Sequence, residues 1–366
     1  MSNLIGLYIH IPYCKSKCPY CDFYSGNGTE SEYDRYTQIL IEKIKLWSIR
    51  TEKEVSSIYF GGGTPSVLGA ERLSKILLAV KSSFSVTDEA EITTEVNPDT
   101  GKSIDFELLE KSGFNRISVG MQSAVEKELK KLGRIHNAED AKITVERAKD
   151  AGIYNISLDL MMGIPFQTQD SLKKSIDFCN ECGVTHISSY ILKIEEGTKF
   201  DLIKDSLILP DEDKQAELYL FAVDYLKKLG FEQYEISNFA KKGFESRHNI
   251  NYWKCGEYIG IGPSAHSFFD GNRFSYNRSM QNFENDINDF DCKGGTSEEY
   301  IMLTLRLKSG LEFNEFENRF GFKLSDNFFR KIKKYADMGF MELNSERACF
   351  TSKGFLVSNT ILSDLI

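Results

Sequence analysis

The chain has 366 residues, with 45 Lys plus Arg against 54 Asp plus Glu, a net charge of −9 and eight Cys. At that length roughly three quarters of the extended chain's surface is buried on folding, which excludes a mini-protein stapled by disulfides. The acidic balance excludes broad nucleic-acid binding, since phosphate contacts need clustered Lys and Arg, and no direct nucleic-acid partner is expected.

The N-terminal run Met1 to Leu7 lacks a positive region followed by a long apolar one, and no stretch approaches 18 uncharged apolar residues. The expectation is a cytoplasmic chain without signal peptide or membrane span, its thiols reduced. Six apolar, β-branched runs read as buried strands: Ile5–Ile11, Ser57–Phe60, Ala90–Val96, Arg116–Gly120, Asn155–Leu160 and His186–Leu192. Helical spacing fills the intervals, with Tyr36, Ile39, Leu40, Ile44 and Trp47 on one face, Leu73, Ile76, Leu77 and Val80 on a second, and Leu172, Ile176 and Cys179 on a third. Strand alternating with helix six times means βα units and a parallel sheet. A helix over Asp213–Leu229 follows. Residues 238–296, rich in Gly, Asn, Ser and aromatics, read as a looped region over something else. From 297 to 366 the pattern is three helices and a strand pair, Met341–Leu343 and Ala348–Phe350, a small winged-helix-like domain. Its basic helix, with Arg330, Lys331, Lys333 and Lys334, reads best as a solvated face.

The chemistry concentrates after the first strand, in Cys14, Cys18 and Cys21, spaced C-x₃-C-x₂-C. Such a loop can bring three thiolates to one face of an iron–sulfur cluster, leaving one iron open. A zinc site short of its fourth ligand and three incidental thiols are the weaker alternatives. The second strand runs into Gly61-Gly62-Gly63-Thr64-Pro65, where backbone can approach a ligand closely. Glu95, Gln122 and Asp159 fall at or near the C-terminal ends of strands three, four and five, where a βα barrel keeps its functional groups.

C-x₃-C-x₂-C followed by Gly-Gly-Gly-Thr-Pro resembles the radical S-adenosylmethionine (SAM) superfamily, whose fold is an incomplete (βα)₆ barrel. Tyr8-Ile9-His10-Ile11-Pro12, Ile117–Ser123, Leu132–Asn137 and Leu158–Pro165 resemble the oxygen-independent coproporphyrinogen III oxidases and their relatives over nearly the whole chain. The resemblance implies a barrel over 1–237, the looped region over 238–296 and the small domain over 297–366. It implies a [4Fe–4S] cluster on Cys14, Cys18 and Cys21. It also implies SAM as cofactor, met by Tyr8, Gly62, Gly63, Thr64, Glu95, Gln122, Arg134 and Asp159.

Two functions fit that family. One is the oxidase, which decarboxylates coproporphyrinogen III. The other is a haem-binding chaperone of the HemW type, which delivers haem to client haemoproteins, membrane-associated clients included. The oxidases carry a further Cys two residues after the motif, where this chain has Phe23, so oxidase activity is doubted and no catalytic residue is assigned. Arg247-His248-Asn249-Ile250-Asn251-Tyr252-Trp253 matches the H-N-x-x-Y-W motif of the HemW type. The chaperone is therefore the favoured function, with haem as bound cargo. His248 is the first candidate iron ligand and Tyr252 the second, because His and Tyr both ligate haem iron. His266 is a further candidate. A lone His among aromatics more often packs and hydrogen-bonds. A homodimer is a further possibility that the sequence leaves open.

Overall fold

The computed structural model describes residues 3–366. All six expected strands are present as β1 (Leu4–Ile11), β2 (Glu54–Gly62), β3 (Val86–Val96), β4 (Arg116–Gln122), β5 (Asn155–Met162) and β6 (His186–Ile191). They pair in sequence order, each parallel to the next. Helices on the outer face bury the apolar stripes that sequence spacing marked. Leu73, Ile76, Leu77, Val80, Leu172, Ile176 and Cys179 are all buried.

The strands alternate. Ile117, Val119 and Met121 of β4 and Ile156, Leu158 and Leu160 of β5 are buried against the helix layer. Their neighbours Ser118, Gly120, Gln122, Asp159 and Met161 face a cavity on the inner side instead. The interior of the barrel is therefore polar, and its outside is the core.

Residues 238–296, which read as loops, add strands to both edges of this sheet. With β7 (Glu232–Gln233), β8 (Asn238–Ala240) runs antiparallel beside β6, while β9 (Tyr258–Ile261) runs parallel beside β1. β10 (His266–Phe269), β11 (Asn272–Ser275) and β12 (Asp289–Lys293) continue outward from β9 as an antiparallel ribbon. These strands have two to five residues, too short for period two to show. The order is β12-β11-β10-β9-β1-β2-β3-β4-β5-β6-β8-β7, so β1 and β6 do not pair and the sheet stays open. One segment nevertheless joins the two sides: β8, the helix Arg247–Trp253 and β9 follow each other across the gap.

The C-terminal residues form the three expected helices, Ser297–Thr304, Phe313–Phe320 and Asp326–Asp337, two more that the sequence reading did not mark, Ser352–Leu356 and Ser358–Leu365, and a sheet of three strands rather than two. Its order is β13 (Leu311–Glu312), β15 (Arg347–Phe350), β14 (Met341–Leu343). Lys331 and Lys334 pair with Asp364, and Lys333 pairs with Asp337, so that basic helix is internally compensated.

Candidate functional site

The cysteines ride on the loop that leaves β1. That loop lies directly on the end of β2: the Gly63 N–H donates to Ile11 O at 2.8 Å and the Thr64 N–H to Tyr13 O at 2.7 Å. A Cβ on Gly63 would stand 2.5 Å from the Tyr13 carbonyl oxygen, so only glycine allows this approach. Gly62 has φ of 108°, and a Cβ there would strike the His10 ring at 2.5 Å. The glycine run thus seats the cysteine loop as well as shaping a cavity.

Cys14, Cys18 and Cys21 line one cavity of about 410 Å³ at the C-terminal ends of the strands. All three are free thiols, Cys14 buried with its Sγ 3.2 Å from the Thr64 hydroxyl. Burial pushes the thiols of Cys14 and Cys21 up. Among the described residues, no group of three or more His, Cys, Asp or Glu converges closely enough to hold one metal ion. Thiols spread around a cavity suit a cluster, in which each thiolate meets a different iron.

Gly62, Gly63, Thr64, Glu95, Gln122, Arg134 and Asp159 line the same cavity. Glu95 accepts the Tyr59 hydroxyl at 2.9 Å; burial pushes its carboxyl up to about 8 against the pull of that hydrogen bond. Asp159 accepts from Ser118 at 3.0 and 3.1 Å and from Ser157 at 3.2 Å, and burial raises it too. Arg134 donates to the Gly120 carbonyl, to Asn97 Oδ1 and, at 3.4 Å, to Cys18 Sγ. Its buried Nε has no partner among the described residues. Gln122 is held at φ of 70°, a left-handed conformation uncommon outside glycine, with its side chain at the cavity wall. An unsatisfied guanidinium N–H, hydroxyl-held carboxylates and a glycine edge beside three thiols fit a small zwitterion next to a cluster.

Tyr8 stands apart. It does not line the cavity; its hydroxyl lies 3.0 Å from His10 Nδ1 and its ring stacks on Tyr59 with centroids 6.3 Å apart. Tyr20, Asn97, Ser118, Met161 and Tyr190 belong to the wall without having been marked from sequence. The polar, period-two alternation inside β4 and β5 is the signal that points to Ser118 and Met161. Phe23 also lines the mouth, 63% exposed.

His248 and Tyr252 are at the other end. They belong to the helix Arg247–Trp253, which packs beneath β2 and β3. Glu91, four residues before Glu95 and so about 13 Å below it along β3, accepts the backbone N–H groups of Arg247 and His248 at 3.0 Å each, and the Ser246 hydroxyl at 3.3 Å. The His248 side chain fills the barrel base. Its Nδ1 is 2.8 Å from Ser57 Oγ, its Nε2 is 2.7 Å from the Tyr252 hydroxyl, and its ring stacks on Tyr59 at 5.2 Å. At 1% exposure, with both nitrogens engaged, it has no lone pair to offer an iron in this arrangement. Burial pulls its pKa down to about 3, which keeps the ring neutral.

Residues 8–179 match the model of the Radical SAM superfamily, and residues 297–357 match that of the HemN C-terminal domain. The chain is 35% identical to the haem chaperone HemW of Lactococcus lactis, with 98% of this chain and 96% of that one covered. It is 34% identical to the HemW of Bacillus subtilis, with 97% of each chain covered. Among solved structures it is similar to the coproporphyrinogen III oxidase of Escherichia coli, a radical SAM enzyme, at a TM-score of 0.84 and 21% identity. That alignment covers 100% of this chain and 90% of the other, and it supports the fold.

Proposed function

This chain belongs to the HemW haem-chaperone family within the radical SAM superfamily, and from that premise we propose that it binds haem and passes it to client haemoproteins. The full-length relationship to the haem chaperones carries this reading. Phe23 supports it: an exposed aromatic edge stands at the mouth where the oxidase pattern has a thiol. The oxidase alternative has the shared fold and the C-terminal domain match on its side.

In this proposal Cys14, Cys18 and Cys21 would hold a [4Fe–4S] cluster, and the Gly62–Thr64 edge and Arg134 would hold SAM. Bound there, the cluster would supply one-electron redox chemistry beside the ligand. The chain's own groups do the positioning. Arg134, whose Nε–H is free, would meet the carboxylate of the ligand while its Nη1 holds Cys18. Thr64 steadies Cys14, and Glu95, Gln122 and Asp159 line the remaining wall. Tyr8 supports that wall from behind through Tyr59. The cytoplasm, where thiols stay reduced, is the fitting compartment. No helix among the described residues is long and apolar enough to cross a membrane, so a membrane-bound client would itself bring the chain to the bilayer.

The test is anaerobic reconstitution of the cluster, followed by SAM and reductant with coproporphyrinogen III or haem offered separately. Stable haem binding without decarboxylation is expected. Conversion to protoporphyrinogen IX would overturn the chaperone reading. In the same preparation Cys14→Ser should lose most of the cluster iron; a full iron and sulfide complement would remove Cys14 from the ligand set.

A further inference from the structure

We propose that His266 is the residue that ligates haem iron, with Asp291 as the positioning residue that orients its ring. The inference rests on the haem-chaperone reading and deepens it.

The chain has five His. Four are buried. His10 lies 3.0 Å from the Tyr8 hydroxyl through Nδ1 and from Tyr24 O through Nε2. His186 uses Nδ1 on Ser157 and Nε2 on Tyr234, both at 2.8 Å. His248 is engaged by Ser57 and Tyr252, and His136 uses Nε2 on the Met121 carbonyl at 3.1 Å. Each of these would have to break internal hydrogen bonds, and leave polar groups buried and unpaired, before meeting a tetrapyrrole.

His266 differs in each respect. Its side chain is 67% exposed, and its Nε2 has no partner among the described residues. Its Nδ1 faces Asp291 Oδ2 at 3.6 Å, a few tenths of an ångström beyond a hydrogen bond. That is the arrangement in which metal-bound imidazoles are usually found: one nitrogen free for the metal, the other turned to a carboxylate that fixes the ring.

The sheet is irregular at this place. β11 and β12 pair as Arg273↔Cys292 and then Phe274↔Phe290, so Asp291 is an extra residue with no partner across the ladder. A bulge of this kind re-aims a side chain. Here it turns Asp291 toward His266, two strands away, and the Ser275 hydroxyl, directly opposite His266 on β11, donates to Asp291 Oδ1 at 3.4 Å. β12 is the outermost strand and all five of its residues are exposed, so a flat macrocycle standing on the His266 Nε2 meets open surface. Binding forms one coordinate bond from the Nε2 lone pair to the iron and releases whatever water the iron carried; no electron is transferred.

Ferric haem is titrated into the full-length, cluster-loaded chain and followed by the Soret band and by electron paramagnetic resonance. His266→Ala should abolish the histidine-ligated spectrum while leaving cluster iron and the melting temperature unchanged, and added imidazole should restore the spectrum. Asp291→Asn should weaken haem binding about tenfold, and Asp291→Glu should recover most of that loss. An unchanged spectrum and affinity in His266→Ala would overturn the assignment. So would a thiolate-type spectrum that vanishes in Cys292→Ser, the exposed cysteine on β12. Failure of the unaltered chain to bind haem is a different result, and it would overturn the chaperone reading itself.

Discussion

Glu95 shows how a single residue can carry both a site and a liability. Its carboxyl sits inside the barrel on the Tyr59 hydroxyl, and burial lifts its pKa from the usual 4.5 to about 8. Between those values the folded chain keeps a proton that the unfolded chain has released. Stability is therefore full below about pH 4.5 with respect to this group and falls as pH rises toward 8. Thermal melts of the ligand-free protein from pH 5 to 8 should show that fall, and Glu95→Gln should flatten it. Glu95 was legible from sequence because a carboxylate in an apolar strand is costly without a purpose. The hydroxyl that holds it was not, since nothing marks Tyr59 as inward-facing until the register with Tyr8 is known.

At the scale of the element, the helix Arg247–Trp253 is fixed from below by one carboxylate. Glu91 takes two backbone N–H groups and a hydroxyl at the helix N-terminus, a position that favours negative charge. Glu91→Gln should cost about 1–3 kcal/mol, read as a drop in the urea midpoint. A midpoint that does not move would mean the helix is held by its aromatic packing alone. The H-N-x-x-Y-W pattern was visible in sequence as a haem-related signature, but its placement was not. Ser57 and Glu91 come from strands roughly 190 and 155 residues earlier in the chain. Only the fold brings them under His248. The same applies to Asp291, whose meaning depends on a bulge that no spacing rule announces. By contrast, the cysteine loop and the glycine run are local, and each was readable as it stood.

On the scale of the whole molecule, one apolar core runs from the barrel strands into the C-terminal helices, including Tyr300, Leu305, Phe316 and Ile332. Backbone bonds cross the same boundary: Ile236 N–H to Arg306 O at 3.1 Å and Lys308 N–H to Tyr234 O at 2.9 Å. Arg319 donates to the Cys255 carbonyl at 2.9 Å. Urea unfolding of the complete chain should accordingly give one transition, with coincident midpoints by tryptophan fluorescence and circular dichroism. Two separated transitions would show that residues 297–366 fold on their own. The strand and helix pattern of both parts was legible because its periods are local, whereas the shared core was not, because apolar residues carry no mark of which neighbour they will meet.

The open side of the sheet gives the molecule a direction in which to yield. A fully closed barrel resists widening equally around its rim. Here β1 and β6 are joined at the base by the β8–helix–β9 segment, whose helix is anchored beneath β2 and β3, and at the mouth by one backbone hydrogen bond, Phe200 N–H to Pro19 O at 2.9 Å, beside the Tyr20–Phe200 ring contact. Spreading that seam at the mouth breaks that one bond and ring contact, while spreading it at the base would tear Glu91 from the two N–H groups and the hydroxyl it holds. The molecule is thus built like a cup whose slit rim is held by a single clasp and whose foot is pinned at several points.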